Sequence, residues 1–158
     1  MQFEGIVSIN APQDRVYAFL TDPNQVSQCA PGLVSMTIVI PDKQFNVVAA
    51  IGFGTVKVTF NVDVEWLDLD PPNYAKMKAH GKAQGSGADA TSDMRLSSNP
   101  ENTVTELKWS ADVMIVGSIA QLAARMLSGM TKKMSAAFFD CVKSKVETMS
   151  EEKAQSAE

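Results

Sequence analysis

Two adjacent stretches of the chain alternate so that the sides they would bury carry almost nothing but small residues. This limits the possible folds more than any other feature. From Tyr74 to Ala83, the residues Tyr74, Lys76, Lys78, His80 and Lys82 share one face of a strand, and Ala75, Met77, Ala79, Gly81 and Ala83 share the other. The charged set faces water, so the small set faces inward. Beyond a turn at Gly85 and Gly87 the pattern resumes, with Asp89, Thr91, Asp93 and Arg95 outward and Ala88, Ala90, Ser92 and Met94 inward. Protein interiors pack to the density of organic crystals, so a wall this thin calls for a closely approaching helix or for a guest that fills the space.

The flanking segments supply the rest of a sheet. Residues 3–9 read as a first strand, after which Asn10 is a capping residue and Pro12 suits the first turn of a helix over 12–20 that buries Val16, Phe19 and Leu20. Thr21-Asp22-Pro23 stops that helix and starts a second short one through Gln28. Residues 33–40 and 44–53 form a hairpin about Pro41-Asp42. Residues 55–69 alternate most clearly, with Val56, Val58, Phe60, Val62, Val64 and Trp66 on one face. The last strand, 103–116, turns Thr105, Leu107, Trp109, Ala111, Val113 and Ile115 inward.

From Ser118, a good cap, to about Met149 the period changes from 2 to 3.6. Ile119, Leu122, Ala123, Met126, Met130, Met134, Ala137, Phe138, Cys141, Val142 and Met149 then fall on one stripe. This predicts a single helix of roughly 45 Å. A single domain over 1–149 is expected, with 150–158 a polar flexible tail.

With 158 residues, 45% hydrophobic and 20% charged, the chain can bury one sizeable core. A net charge of −4 and a pI near 5.0 would repel a nucleic-acid backbone, and no basic stripe interleaved with aromatics offsets this. Cys29 and Cys141 stand far apart, with His80 the single histidine, so no metal site is expected. The same count argues against a disulfide framework and for a reducing compartment. The start Met1-Gln2-Phe3-Glu4 lacks the pattern of a secretory leader, so the protein is expected in the cytoplasm, with peripheral contact at the inner face of the membrane as a further expectation. Residues 113–130 are apolar, but Gly117-Ser118 divides them into strand and helix, which is favoured over a membrane span.

Strand, two short helices, six antiparallel strands and a long C-terminal helix make an α+β layout in which a curved seven-stranded sheet wraps around the final helix, the helix-grip arrangement. The residues that carry a family resemblance are Phe3-Glu4-Gly5, Thr21-Asp22-Pro23, Cys29-Ala30-Pro31-Gly32, the Asp70-Pro71-Pro72 turn, the small-residue strands, and Gly117 through Gln121, Arg125, Gly129 and Phe138-Phe139. Together they resemble the CoxG family of carbon monoxide dehydrogenase subunits, within the START and Bet v 1-like (SRPBCC) superfamily. The resemblance implies a non-catalytic accessory protein of a molybdenum-containing carbon monoxide dehydrogenase or related hydroxylase. It also implies a role in bringing that enzyme to the membrane and in binding a lipophilic quinone.

A cavity of that kind is expected to be lined by Phe60 and Val62, by Ala75, Met77, Ala79 and Gly81, and by Ala88, Ala90, Ser92 and Met94. Trp109 and Ala111 add to it from the last strand, and Met126, Met130 and Met134 from the helix, where thioethers adapt to irregular guests. Cys29, Pro31 and Gly32 are expected at its mouth. Arg125, Lys132 and Lys133, on a basic helix side, are candidate contacts to an anionic membrane or an acidic partner enzyme.

No catalytic residue is assigned. His80 falls among outward lysines, Cys29 has no basic neighbour in sequence to lower its pKa, and Asp89, Asp93 and Asp112 lie on the solvated face. The ligand is expected to be a quinone or lipid. The competing reading is an enzyme of cyclase or hydrolase type acting on a hydrophobic small molecule in the same cavity, with Ser92, Thr105 and Cys29 the polar groups available to it.

Overall fold

The computed structural model describes residues 1–156. Strand β1 (Gln2–Ile9) is followed by helices α1 (Gln13–Thr21) and α2 (Pro23–Val26) and a 3-10 turn, Ser27–Cys29. Six further strands are β2 (Leu33–Ile40), β3 (Gln44–Phe53), β4 (Val56–Asp70), β5 (Tyr74–Ala83), β6 (Ser86–Ser98) and β7 (Thr105–Gly117), and the long helix is α3 (Ala120–Ser156). The strands form one sheet in the order β1-β7-β6-β5-β4-β3-β2, with every neighbouring pair antiparallel. This is the helix-grip fold. Because β1 and β2 stand at opposite edges, the segment holding α1, α2 and the 3-10 turn must carry the chain from one side of the sheet to the other.

The register sets small residues against small ones in the middle of the sheet. Ala79 pairs with Ala90, Gly81 with Ala88 and Met77 with Ser92. A Cβ on Gly81 would lie 3.3 Å from a methyl of Val62 and 3.4 Å from the ring of Phe60, so even this position has little room toward β4. The departure of α3 from the sheet is fixed by Gly117, whose φ of +96° suits glycine and whose Cβ would collide with the backbone of Gly85. Ser118 N donates to Gly85 O at 2.9 Å, which ties the β5–β6 turn to the start of the helix.

Two packed regions hold α3. Near its start, Ile119 and Ala123 pack with Phe53 and Phe60. Toward its far end, Val142 and Val146 are fully buried with Ile9, Val16, Phe19, Leu96 and Leu107. Between Ala123 and Val142, about 28 Å of helix, no residue is fully buried. The helix is thus anchored at both ends and leaves its middle turns over the thin wall.

Several expectations are corrected. Asn10 is not the cap of α1: Pro12 occupies that position without a side-chain bond, and Asn10 N donates instead to Glu147 Oε1 at 2.9 Å. Asp22 does cap α2, accepting from Asn24 N at 3.0 Å. Val56 is exposed because it opens the tight β3–β4 turn, and Ala137 faces solvent, one step off the stripe. The helix continues through 150–156, where the sequence predicts a flexible tail, since Glu, Lys, Ala and Gln favour helix without an apolar stripe and no Gly or Pro stops it. Residues 157 and 158 lie outside the described residues, as does the side chain of Met149.

The largest correction concerns the cysteines. Cys29 and Cys141 form a disulfide with Cα atoms 5.5 Å apart, although 112 residues separate them in sequence. The chain crossing from β1 to β2 brings the 3-10 turn against the second half of α3, a proximity that sequence spacing cannot report.

Thr105 is the one fully buried polar residue among the described residues, and its hydroxyl donates to Ala11 O at 2.7 Å, tying the start of β7 to the entry of α1. Thr105→Val keeps the shape and leaves that carbonyl without its partner. The urea midpoint should fall by the equivalent of about 1 to 3 kcal/mol with an unchanged slope, and an unaltered midpoint would show that the bond contributes nothing.

Candidate ligand-binding cavity

Beneath the middle of α3 lies a cavity of about 600 Å³. The inner face of the sheet forms its floor, Met130, Met134 and Phe138 of α3 its roof, and Val26, Ala30 and Pro31 of the crossing segment one side. Its volume falls in the range typical of small-molecule sites, roughly 300 to 1,000 Å³.

The thin wall contributes as its alternation predicts. Ala75, Met77, Ala79 and Gly81 of β5 line the cavity, as do Ala88, Ala90, Ser92 and Met94 of β6. Phe60, Val62, Trp109, Met130 and Met134 are also there. Trp109 lies directly over Gly5, its register partner in β1, where an added Cβ would come within 2.6 Å of the indole nitrogen. Glycine at that position lets the indole lie against β1, with its ring centroid 6.3 Å from that of Phe139.

Four predicted residues fall elsewhere. Ala111 does not reach the cavity, because its methyl sits on the same strand face between the larger Trp109 and Val113. Met126 packs on the Phe53–Phe60 cluster and near Gly54, closing one end rather than lining the space. At the mouth only Pro31 lines the cavity. Cys29 is buried in its bond to Cys141, and Gly32, at φ +76°, turns outward while its carbonyl accepts from Ala50 N at 2.8 Å.

Sequence reasoning missed the wall made by Leu20, Pro23, Val26, Leu33, Met36 and Phe45. Their apolar character was legible, but which surface they cover depends on how the crossing segment folds back. It also missed Phe138 and Phe139 as an edge-to-face pair, with ring centroids 5.0 Å apart, although both stand within the helix that the periodicity predicts.

The polar groups at the cavity are largely engaged. Ser92 Oγ donates to Ser110 O at 2.9 Å, and Ser135 Oγ to Lys132 O at 3.2 Å. Asp93 accepts from Ser110 Oγ at 2.5 Å and from the Tyr74 hydroxyl at 3.4 Å. Thr105 is committed to Ala11. Burial, followed by the charges of Asp70 and Asp68, pushes the Tyr17 phenol up; burial, followed by Asp93, does the same to Tyr74. Both shifts move away from neutrality, so neither phenol is tuned as a base.

On the outer face, His80 Nδ1 lies 2.5 Å from Asp89 Oδ1, both side chains being exposed. Arg125, Lys132 and Lys133 are exposed on the solvent side of α3, on the same turns whose other side carries Met130 and Met134. No helix among the described residues is long and apolar enough to cross a membrane.

No curated protein matches the chain. A conserved protein from Geobacillus kaustophilus superposes with a TM-score of 0.85 at 22% identity, covering 94% of this chain and 96% of its own. An aromatase/cyclase from Streptomyces sp. R1128 has a TM-score of 0.71 at 18% identity and 93% coverage of both chains. A protein from Thermus thermophilus has a TM-score of 0.67 at 15% identity, covering 95% of this chain and 99% of its own. These likenesses carry the fold and not the activity. The family model for the G subunit of carbon monoxide dehydrogenase (CoxG) matches residues 5–147, and with nearly the whole domain inside that match the chain belongs to the CoxG family.

Proposed function

We propose that this protein is a non-catalytic accessory subunit that holds an apolar molecule, an isoprenoid quinone or a lipid, beneath α3. In this reading it serves a molybdenum hydroxylase of the carbon monoxide dehydrogenase type at the membrane. The observation that carries the reading is the cavity of about 600 Å³ with a nearly unbroken hydrocarbon lining. Open at its mouth, the cavity without a guest leaves this hydrocarbon wall against water, forgoing roughly 25 cal/mol for each Å² that a guest would cover. A guest removes that cost and gains the contacts that the small wall residues forgo. Membership of the CoxG family supports the accessory role.

A cyclase or hydrolase would need an acid, base or nucleophile aimed at its substrate. Ser92 and Thr105 donate to backbone carbonyls, and Cys29 is bonded to Cys141, which favours holding a molecule over transforming it. For the membrane or the partner, the basic side of α3 at Arg125, Lys132 and Lys133 is the proposed contact, since it stands on the element that roofs the cavity.

The ligand is identified by mass spectrometry of an organic extract of the purified protein, in which a stoichiometric quinone or lipid is expected. Ala79→Phe tests the wall itself. With a void beneath it, the ring occupies the space, so ligand-free stability holds or rises while ligand is lost from the extract. A large drop in melting temperature would mean that the small residues serve close packing, which costs about 1 to 3 kcal/mol when violated, and the carrier reading would lose its support.

Reversing Lys132 and Lys133 to Glu tests the docking side. Co-sedimentation with anionic vesicles and capture of the hydroxylase should weaken and lose salt sensitivity, with the melting temperature unchanged. If both assays are unaffected, this surface has no such role.

A further inference from the structure

The crossing segment, residues 23–31, supplies one side of the cavity through Pro23, Val26, Ser27, Ala30 and Pro31. Its hydrogen bonds are local. Asp22 accepts from Asn24, Gln25 and Val26, Ser27 and Gln28 donate to Asn24 O, Ala30 N donates to Ser27 O, and Leu33 N to Ala30 O. Among the described residues, none of these bonds reaches α3. Cys141 Sγ lies 3.9 Å from Gln28 O, but a disulfide sulfur carries no hydrogen to donate. Val26 and Cys29 pack on the core, and the only covalent or directional link from the segment to α3 among the described residues is the Cys29–Cys141 bond. That bond stands one turn beyond Phe138, which roofs the cavity, and next to Ala30, which walls it.

We propose that the disulfide is a redox-operated clasp on the cavity: oxidised, it pins the crossing segment to α3 and retains the guest; reduced, it frees the segment and lets the guest exchange. This rests on the carrier reading for what is regulated, and on the pairing alone for the clasp. The reductant is a dithiol. Its thiolate attacks the sulfur of Cys141, the more exposed cysteine, forming a mixed disulfide and releasing Cys29 as a thiolate that takes a proton. The second thiol of the reductant then displaces Cys141. Two electrons and two protons pass to the protein, and the dithiol leaves as its own disulfide. In a compartment that keeps thiols reduced, a bridge of this kind is a transient, sensing one.

The test follows release of cis-parinaric acid, a fluorescent apolar probe, by stopped flow from oxidised and dithiothreitol-treated protein, with amide hydrogen exchange measured on both. Reduction should speed release roughly tenfold, corresponding to about 1.4 kcal/mol of lost restraint, and raise exchange at residues 23–31. Cys29→Ser and Cys141→Ser should each match the reduced protein and ignore dithiothreitol. Two free thiols after mild oxidation would overturn the clasp, as would identical release and exchange in both redox states. If the probe binds in neither state, the carrier reading fails, and the clasp is then judged by hydrogen exchange alone, where unchanged protection of residues 23–31 overturns it.

Discussion

The structure depends on α3 being held at its two ends and not in between. Ala123 near its start and Val142 and Val146 toward its end are wholly buried, each end in its own cluster; Met126 and Met130 pack partly on the first and Phe138, Phe139 and Cys141 on the second, which leaves the turn around Met134 resting on neither. A helix keeps its shape over such a span because its backbone bonds are internal, so no side-chain contact is needed to keep it straight. The sheet could rise to meet it only with large side chains, and β5 and β6 carry Ala79, Gly81, Ala88 and Ala90 there. The cavity is what remains between a stiff roof and a floor with little side-chain volume.

Chemistry follows from the same arrangement. Every strand residue over the floor has its backbone groups in the ladder, and the hydroxyls of Ser92 and Ser135 are turned back to carbonyls. The interior therefore offers dispersion contacts and few directional ones, which suits molecules recognised by shape and length. Apart from Asp93, which accepts from Ser110 and Tyr74, charge is kept outside, where Lys78 approaches Glu65 to 4.0 Å and His80 meets Asp89.

How much of this was legible in the sequence varies with how local the cause is. The thin wall was readable residue by residue, because alternation alone decides which face Ala75 or Ala90 takes, and the helix stripe gave Met130 and Met134 on the same grounds. Ala111 and Met126 lie on the faces that their periods predict and still miss the cavity, since a shared face does not say how far a side chain reaches past its neighbours. The crossing segment was least legible. Its helices have local signals, in Asp22 and Pro23, but its placement depends on β1 and β2 lying at opposite edges of the sheet. The Cys29–Cys141 pair depends on that placement in turn, and 112 residues of separation conceal it.

A cavity made by shortening side chains on two central strands, instead of breaking a strand or shortening the helix, leaves every backbone hydrogen bond of those strands intact. Its volume can then be altered at Ala79, Ala88 or Ala90 without altering the register that holds the sheet together. The mouth is governed separately, by a segment whose hydrogen bonds are its own and whose tie to the roof is a sulfur bridge. In the proposed reading, capacity and access reside on different parts of the chain: the floor of β5 and β6 sets what fits, and the crossing segment sets how readily it comes and goes. The two are not independent of the packing that holds α3, because Cys29 and Val26 of the segment lie in or against the cluster of Val142 and Val146, and Ala88 of the floor lies against that of Ile119 and Ala123.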